Sequence, residues 1–361
     1  MYKLNSRQLC FIIITTATVS KLFFMPALLA GIAEEGLILS CLINYLIDFV
    51  LLFFILKTYK SQENFSYFDM LERSYGKALS KLIIALYALF FILKVFIPMI
   101  EEKNSIELTF YETQPNVLTY IPIFVITFYV SLKGIKSFSR SMEIVTVLFF
   151  IGIAIIFLLS FNVGDYDNLL PFFSKNPKSM LEGAFKTLLW FGDPIYILFF
   201  LNEIKKDRKM SKKVILSYLV SMVIIIVVLA VFYAIFASIA KRQFYAPIKM
   251  SKYSITLSNI GRFDYVGTLI LSFSSIFLIA MPLMFSSSLI TRVYSLKKSY
   301  TAPLIVNGVA LLLTLVFENG FFSILKWVQN YGIFILIVFT YVIPLLTFAI
   351  YRRKKYATQT N

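Results

Sequence analysis

Long apolar runs alternate with short polar segments along the whole chain. Ten runs stand out, at about 8–32, 37–56, 81–100, 117–133, 142–161, 183–201, 214–238, 265–290, 301–317 and 331–350. Each is roughly 20 residues long, enough for a helix to cross a hydrocarbon core of about 30 Å. The runs are continuously apolar and do not alternate residue by residue. They therefore predict helices and not the strands of a membrane barrel. No soluble domain or low-complexity linker interrupts the series. The expectation is an all-α polytopic membrane protein with about ten transmembrane helices. It forms one transmembrane domain over 1–361 and closes on a basic cytoplasmic tail at 351–361.

Composition supports this. Of 361 residues, 59% are hydrophobic and 15% are charged, with a mean hydropathy of +0.80. A soluble domain carries about 25% charged residues. The net charge of +16 would suggest a nucleic-acid partner in a soluble protein. Here the basic residues lie between apolar runs, so no nucleic acid is expected and the lipid bilayer is the partner. The N-terminus, the even-numbered loops and the tail hold 23 Lys and Arg residues, against 9 in the odd-numbered loops. That bias places both termini in the cytoplasm. The outer segments are correspondingly acidic, with Glu34, Glu35, Glu101, Glu102, Glu107, Glu112, Asp165 and Asp167. The segment 239–264 is long and basic, and is expected to fold on the outer face as a short helix or lid.

Several chemistries are excluded. The chain has no histidine, so no His-ligated metal and no His-based catalytic triad can form. Cys10 and Cys41 fall near opposite ends of adjacent spans, so no disulfide between them is expected. There is no CxxC pattern. No metal and no cofactor is expected. Lys3 and Arg7 followed by an apolar run superficially resemble a signal peptide, but the many later spans favour an uncleaved first helix.

Two spans carry breakers. Span 6 reads TLLWFGDPIYILFF over 187–200, with Gly192, Asp193 and Pro194 in succession. Pro194 removes a backbone donor and clashes with the preceding turn. Bare backbone at membrane depth is tolerated only inside protein or beside a cavity, and a carboxylate there must find a partner or water. Span 1 reads TTATVSKLFFMPALLAG, with Lys21 at mid-membrane and Pro26 behind it. Two five-helix halves, at about 8–161 and 183–350, each opening with a broken helix and related by inversion, form a known transporter architecture. Such breaks receive anions at half-helix N-termini and cations at unwound carbonyls.

A zwitterionic amino acid fits that pattern. Its carboxylate meets the span 1 break at Thr18, Val19, Ser20 and Lys21. Its ammonium meets the carbonyls of Phe191 and Gly192, or Asp193. Lys21 and Asp193 can equally pair with each other, and a plain proline kink with a structural ion pair is the simpler reading. In span 8, Ser272, Ser274 and Ser275 either line the site or pack the helix. Lys94 either serves in place of a coupling cation, anchors an internal network with Asp193, or snorkels. Lys186 is expected to snorkel, Asp48 to pair with one of these two lysines, and Arg140 with Glu143 one helical turn away.

The order of short motifs resembles the spore germination permease family, the membrane B subunits of nutrient germinant receptors. LNSRQL at 4–9 looks like its start. YETQPNVL resembles its Thr-x-Pro opening of span 4, with Thr113 and Pro115. GIKSFSRSMEI is similar to its Gly-Ile and Arg-x-x-Glu loop, with Gly134, Ile135, Arg140 and Glu143. NLLP follows span 5 from Asn168 to Pro171, FGDP stands at the family's Gly-Glu step, and IGRFD at 260–264 resembles its Arg-x-acidic approach to span 8. Three positions depart: no glycine accompanies Val19, Ser20 and Lys21; Asp193 replaces a Glu; Lys94 replaces an Arg. The resemblance implies a fold of the amino acid–polyamine–organocation transporter superfamily. It also implies recognition of a small nutrient, often an amino acid, and assembly with an A subunit and a lipoprotein C subunit in the inner membrane of a spore-forming bacterium.

Three classes of function follow. One is a nutrient sensor on a transporter fold, and the second a proton-coupled amino acid permease. The third, an intramembrane enzyme, lacks any catalytic constellation, and no enzyme is expected.

Overall fold

The computed structural model describes residues 3–60, 66–110, 116–170, 176–205, 207, 209–252 and 263–357. Helices build most of it, and among the described residues one isolated parallel bridge joins Leu4 and Ile204. In chain order they are α1 (Ser6–Val19), α2 (Met25–Ala33), α3 (Leu37–Lys60), α4 (Tyr67–Tyr75), α5 (Lys77–Phe110), α6 (Asn116–Ser160), α7 (Pro177–Thr187) and α8 (Ile195–Phe200). There follow α9 (Met210–Phe236), α10 (Ala246–Lys252), α11 (Phe263–Tyr294), α12 (Thr301–Phe317), α13 (Phe321–Trp327), α14 (Ile333–Ile337) and α15 (Ile343–Ala357).

Among the described residues, seven helical stretches are long and apolar enough to cross a membrane. The sequence predicts ten runs, and the difference has a physical origin. The first run is interrupted: α1 stops at Val19 and α2 starts at Met25. Two other pairs of runs merge, one into Leu118–Val163 and one into Thr301–Lys354. At 1.5 Å per residue, the 45 residues of α6 would reach roughly 68 Å, about twice a hydrocarbon core. Its helical course breaks at Gly134, with φ 69 and ψ −167, a conformation that glycine adopts without a Cβ clash. Thus α6 is two helices joined at a turn.

Leu46, Val125, Ile144, Leu216 and Leu312 are exposed by 61–66%, which in water would be a liability and in lipid is not. Inside, α11 packs along α5 and α6, α1 lies against α6 and α9, and α2 against α7. The N-terminus ties two of these layers together. Leu4 is fully buried; its N–H donates to the Glu203 carbonyl at 2.6 Å, and its carbonyl accepts from Lys205 N–H at 2.8 Å. The N-terminal end of α1 is thereby fastened to the chain leaving α8.

Three expectations are corrected. Helix α5 runs ten residues past its predicted apolar run, to Phe110, and buries Glu101 and Glu102, which the sequence placed in an exposed acidic loop. Glu143 pairs with Arg7 at 2.8 Å, across two elements and not within its own helix. Lys186, part-exposed as a snorkelling side chain would be, pairs with Glu182 at 2.6 Å, one turn away. Asp48 pairs with neither lysine, for reasons given below. Within the basic segment 239–264, Ala246–Lys252 form a short helix, α10, preceded by a 3-10 turn, Ala237–Arg242, while 253–262 lie outside the described residues. Glu112, the Thr113 and Pro115 motif, Pro171, Lys175 and the 260–262 portion of IGRFD lie outside the described residues. Cys10 and Cys41 are free thiols.

Candidate functional site

The first break is closed by its own backbone. Thr16 and Thr18 turn their hydroxyls back onto the carbonyls of Ile12 and Ile14 at 2.7 and 2.6 Å. The Lys21 and Leu22 N–H groups then reach Thr18 and Val19, so α1 ends in tight three-residue steps. This explains how the chain leaves the helix without a glycine. Beyond it, the Phe23 carbonyl accepts from the Tyr245 and Ala246 N–H groups at 3.0 and 3.3 Å, so the start of α10 satisfies an exposed carbonyl of the break. Burial pushes the Tyr245 phenol up from its ordinary pKa. Pro26, at the start of α2, needs no hydrogen-bond partner there.

The second break is sharper. A 3-10 turn, Leu188–Trp190, follows α7; Phe191 is extended, and Gly192 adopts φ 83 before Pro194 restarts the helix as α8. A Cβ at Gly192 would lie 2.5 Å from the Thr340 Cγ2, so both conformation and space demand glycine. The bared Gly192 N–H donates to both Asp48 carboxylate oxygens at 3.0 Å. Asp48 also accepts from the Tyr341 hydroxyl at 2.5 Å and from the Tyr218 hydroxyl. Hydrogen-bond donors, not a lysine, therefore hold this buried carboxylate. Tyr341 and Thr340 sit on a π-helical turn, Val338–Val342, a local widening common at functional sites.

The two breaks meet. Lys21 Nζ lies 2.5 Å from Asp193 Oδ2, with side-chain exposures of 0% and 6%. The same ammonium donates to the Ala17 carbonyl at 2.8 Å and to Ser20 Oγ at 3.1 Å, and sits 4.6 Å from the Phe191 ring centroid. Ser20 Oγ reaches the Trp190 carbonyl at 3.4 Å. From α5, Lys94 Nζ points to the Phe191 carbonyl at 3.4 Å and lies 4.9 Å from the Tyr196 ring centroid. Two lysines and two aspartates thus share one region. A cavity of about 320 Å³ opens beside it.

The predicted site residues divide into groups. Ser20, Lys94 and Asp193 line the cavity, together with Trp190 and Tyr196, which the sequence did not single out. Lys21, Phe191 and Gly192 stand directly behind that wall, through the contacts above. Val19 is buried at the end of α1, and Thr18 is buried further back, bonding Ser221 Oγ at 3.1 Å. Ser272 and Ser275 do not line the cavity. Ser275 donates to the buried Glu102 carboxylate, and Ser272 faces that same group from one turn earlier. Ser274 bonds the Ile270 carbonyl of its own helix. The neighbouring Glu101 accepts from Trp190 Nε1 at 3.0 Å. Among the described residues no cluster of three or more metal-ligating side chains occurs.

Seven helical stretches long and apolar enough to cross a bilayer, with apolar side chains turned outward, mark an integral membrane protein. The family model of the spore germination proteins matches residues 3–323, nearly the whole chain, and the chain belongs to that family. It is a germination-related membrane protein. No curated protein matches it.

Proposed function

We propose that this protein is the nutrient-sensing subunit of a germinant receptor, built on a transporter fold. In this reading residues 8–161 and 183–350 form the two inverted five-helix halves, and the interrupted helices α1–α2 and α7–α8 open them. The ligand is a small nutrient, an amino acid, held in the cavity beside the breaks. The subunit sits in the inner membrane of a spore-forming bacterium with both termini in the cytoplasm, and it works with A and C partner subunits. It is not an enzyme.

One observation carries the reading: the Lys21–Asp193 contact joins the gaps of both interrupted helices at the edge of a cavity. A ligand that touches this junction acts on both helices at once. It shifts the protein between conformations only to the extent that it binds one of them more tightly. The partner subunits then read the preferred conformation. The bridge between Leu4 and Ile204 transmits the position of α1 to the segment behind α8.

Germination of spores carrying Asp193→Asn in place of the wild-type chain tests this. After addition of an amino acid mixture, wild-type spores lose optical density and variant spores respond at least about 10-fold more slowly, the scale of one lost charged contact. An equal response sinks the proposal. Uptake into proteoliposomes separates the second reading, which the buried lysine–aspartate cluster also supports. Accumulation driven by a proton gradient would make the chain a permease.

A further inference from the structure

We infer that Lys94, and not Lys21, receives the ligand carboxylate, that Asp193 Oδ1 receives the ammonium, and that the ligand is an amino acid with a large apolar side chain. The inference rests on the reading that the cavity binds a nutrient amino acid, and specifies it.

An ammonium has three protons to give. Lys21 has given all three, to Ala17 O, Ser20 Oγ and Asp193 Oδ2. It is fully buried and does not line the cavity. Asp48 is likewise filled, by Gly192 N–H, Tyr218 and Tyr341. Lys94 differs. Its one hydrogen bond is long, 3.4 Å to the Phe191 carbonyl, and no carboxylate among the described residues lies within ion-pair distance of it. It is half-buried, and it lines the cavity. A cation with unused protons at an apolar cavity wall attracts an anion strongly, because little water competes for it.

Asp193 completes the pair. It lines the cavity, and it bonds Lys21 through Oδ2 alone. Its other oxygen remains available to an ammonium. A zwitterion placed between Lys94 and Asp193 Oδ1 adds one charge of each sign and leaves the local balance unchanged. The rest of the wall sets the side chain. Leu93, Ile97, Leu278, Leu313, Phe317 and Leu336 offer it no hydrogen-bond partner. A charged or amide side chain would lose its water there without replacement. An aliphatic or aromatic one gains by burial.

The test is equilibrium binding of labelled leucine, phenylalanine and glutamate to the purified full chain, with leucinamide as competitor. Leucine or phenylalanine binds and glutamate does not. Leucinamide, which lacks the carboxylate, competes at least about 10-fold more weakly than leucine. Lys94→Met weakens binding by a similar factor, and Lys94→Arg retains part of it. Equal competition by leucinamide, preference for glutamate, or unchanged affinity of a folded Lys94→Met protein overturns the inference while the nutrient reading stands. If Lys94→Met does not fold, the acid-to-amide ratio on the wild-type protein decides. If no amino acid of any kind binds, the nutrient reading itself fails.

Discussion

Lys21 and Asp193, 172 residues apart in sequence, touch at 2.5 Å, each within the gap of an interrupted helix. The contact neutralises two charges that the membrane interior would otherwise penalise. Removing one partner of such a pair leaves a lone buried charge and costs about 3–5 kcal/mol, whereas replacing both by apolar groups is close to neutral. Asp193→Leu should therefore unfold at a markedly lower temperature than wild type. Lys21→Met combined with Asp193→Leu should recover most of that loss and still fail to respond to ligand. Thermal unfolding in detergent measures this, and a double variant no more stable than the single one would refute the pairing.

Gly192 makes a second test possible. Gly192→Ala forces a left-handed backbone on alanine and drives its Cβ toward Thr340 Cγ2. The backbone term alone is about 1–2 kcal/mol. Adding Thr340→Ser removes the clashing methyl but not the backbone strain, so it should restore only part of the stability. Full restoration, or none, would show that one of the two causes is absent.

Asp48 should behave as a structural acceptor. Asp48→Asn keeps the size but turns one acceptor oxygen into a donor, facing groups that are themselves donors. A loss of about 1–3 kcal/mol is expected. Tyr341→Phe should cost less, because it removes one donor and leaves Asp48 its other partners. A double-mutant cycle between the two should show coupling, and strict additivity would place them in separate networks.

Asp207 holds the start of α1. Its carboxylate accepts from Lys213 Nζ at 2.7 Å, Lys209 N–H at 2.9 Å and Ser6 Oγ at 2.9 Å. The Lys213 contact first, then the Lys209 and Ser6 bonds, hold the carboxyl well below the usual carboxylate range. A carboxyl depressed on folding stabilises above its unfolded pKa and loses that contribution as pH falls through the folded value. The stability difference between wild type and Asp207→Asn should thus be constant near neutrality and shrink in strong acid. A difference independent of pH would contradict the clamp.

Much of this was legible in the sequence, and the limits are instructive. Apolar runs gave the helices, because lipid demands continuous hydrophobic stretches. Gly192 with Pro194, and Lys21 ahead of Pro26, announced the breaks, since each breaker acts within one turn of itself. The Lys21–Asp193 pair was one of two readings open from two isolated opposite charges in apolar spans, the other being a separate contact of each with a ligand. The partners of Asp48 did not follow: Tyr341 is 293 residues away, and a tyrosine in a membrane helix has many uses. Glu101 and Glu102 looked like loop residues because carboxylates usually end a span. Their burial depends on Trp190 and Ser275, which arrive from other helices. Ser272 and Ser275 were sensibly suspected as polar, but periodicity cannot say which neighbour a face meets.

The most direct test of the account fills the cavity and leaves every charged group in place. Leu93 lines it and is 49% exposed, so a larger side chain can be accommodated there without crowding the core. Binding of a labelled amino acid mixture should be measured on purified wild type and Leu93→Trp, with unfolding temperature as the control for structure. The account predicts binding to wild type and its loss in a folded Leu93→Trp protein. A folded variant that binds as tightly as wild type would place the ligand elsewhere and contradict the site.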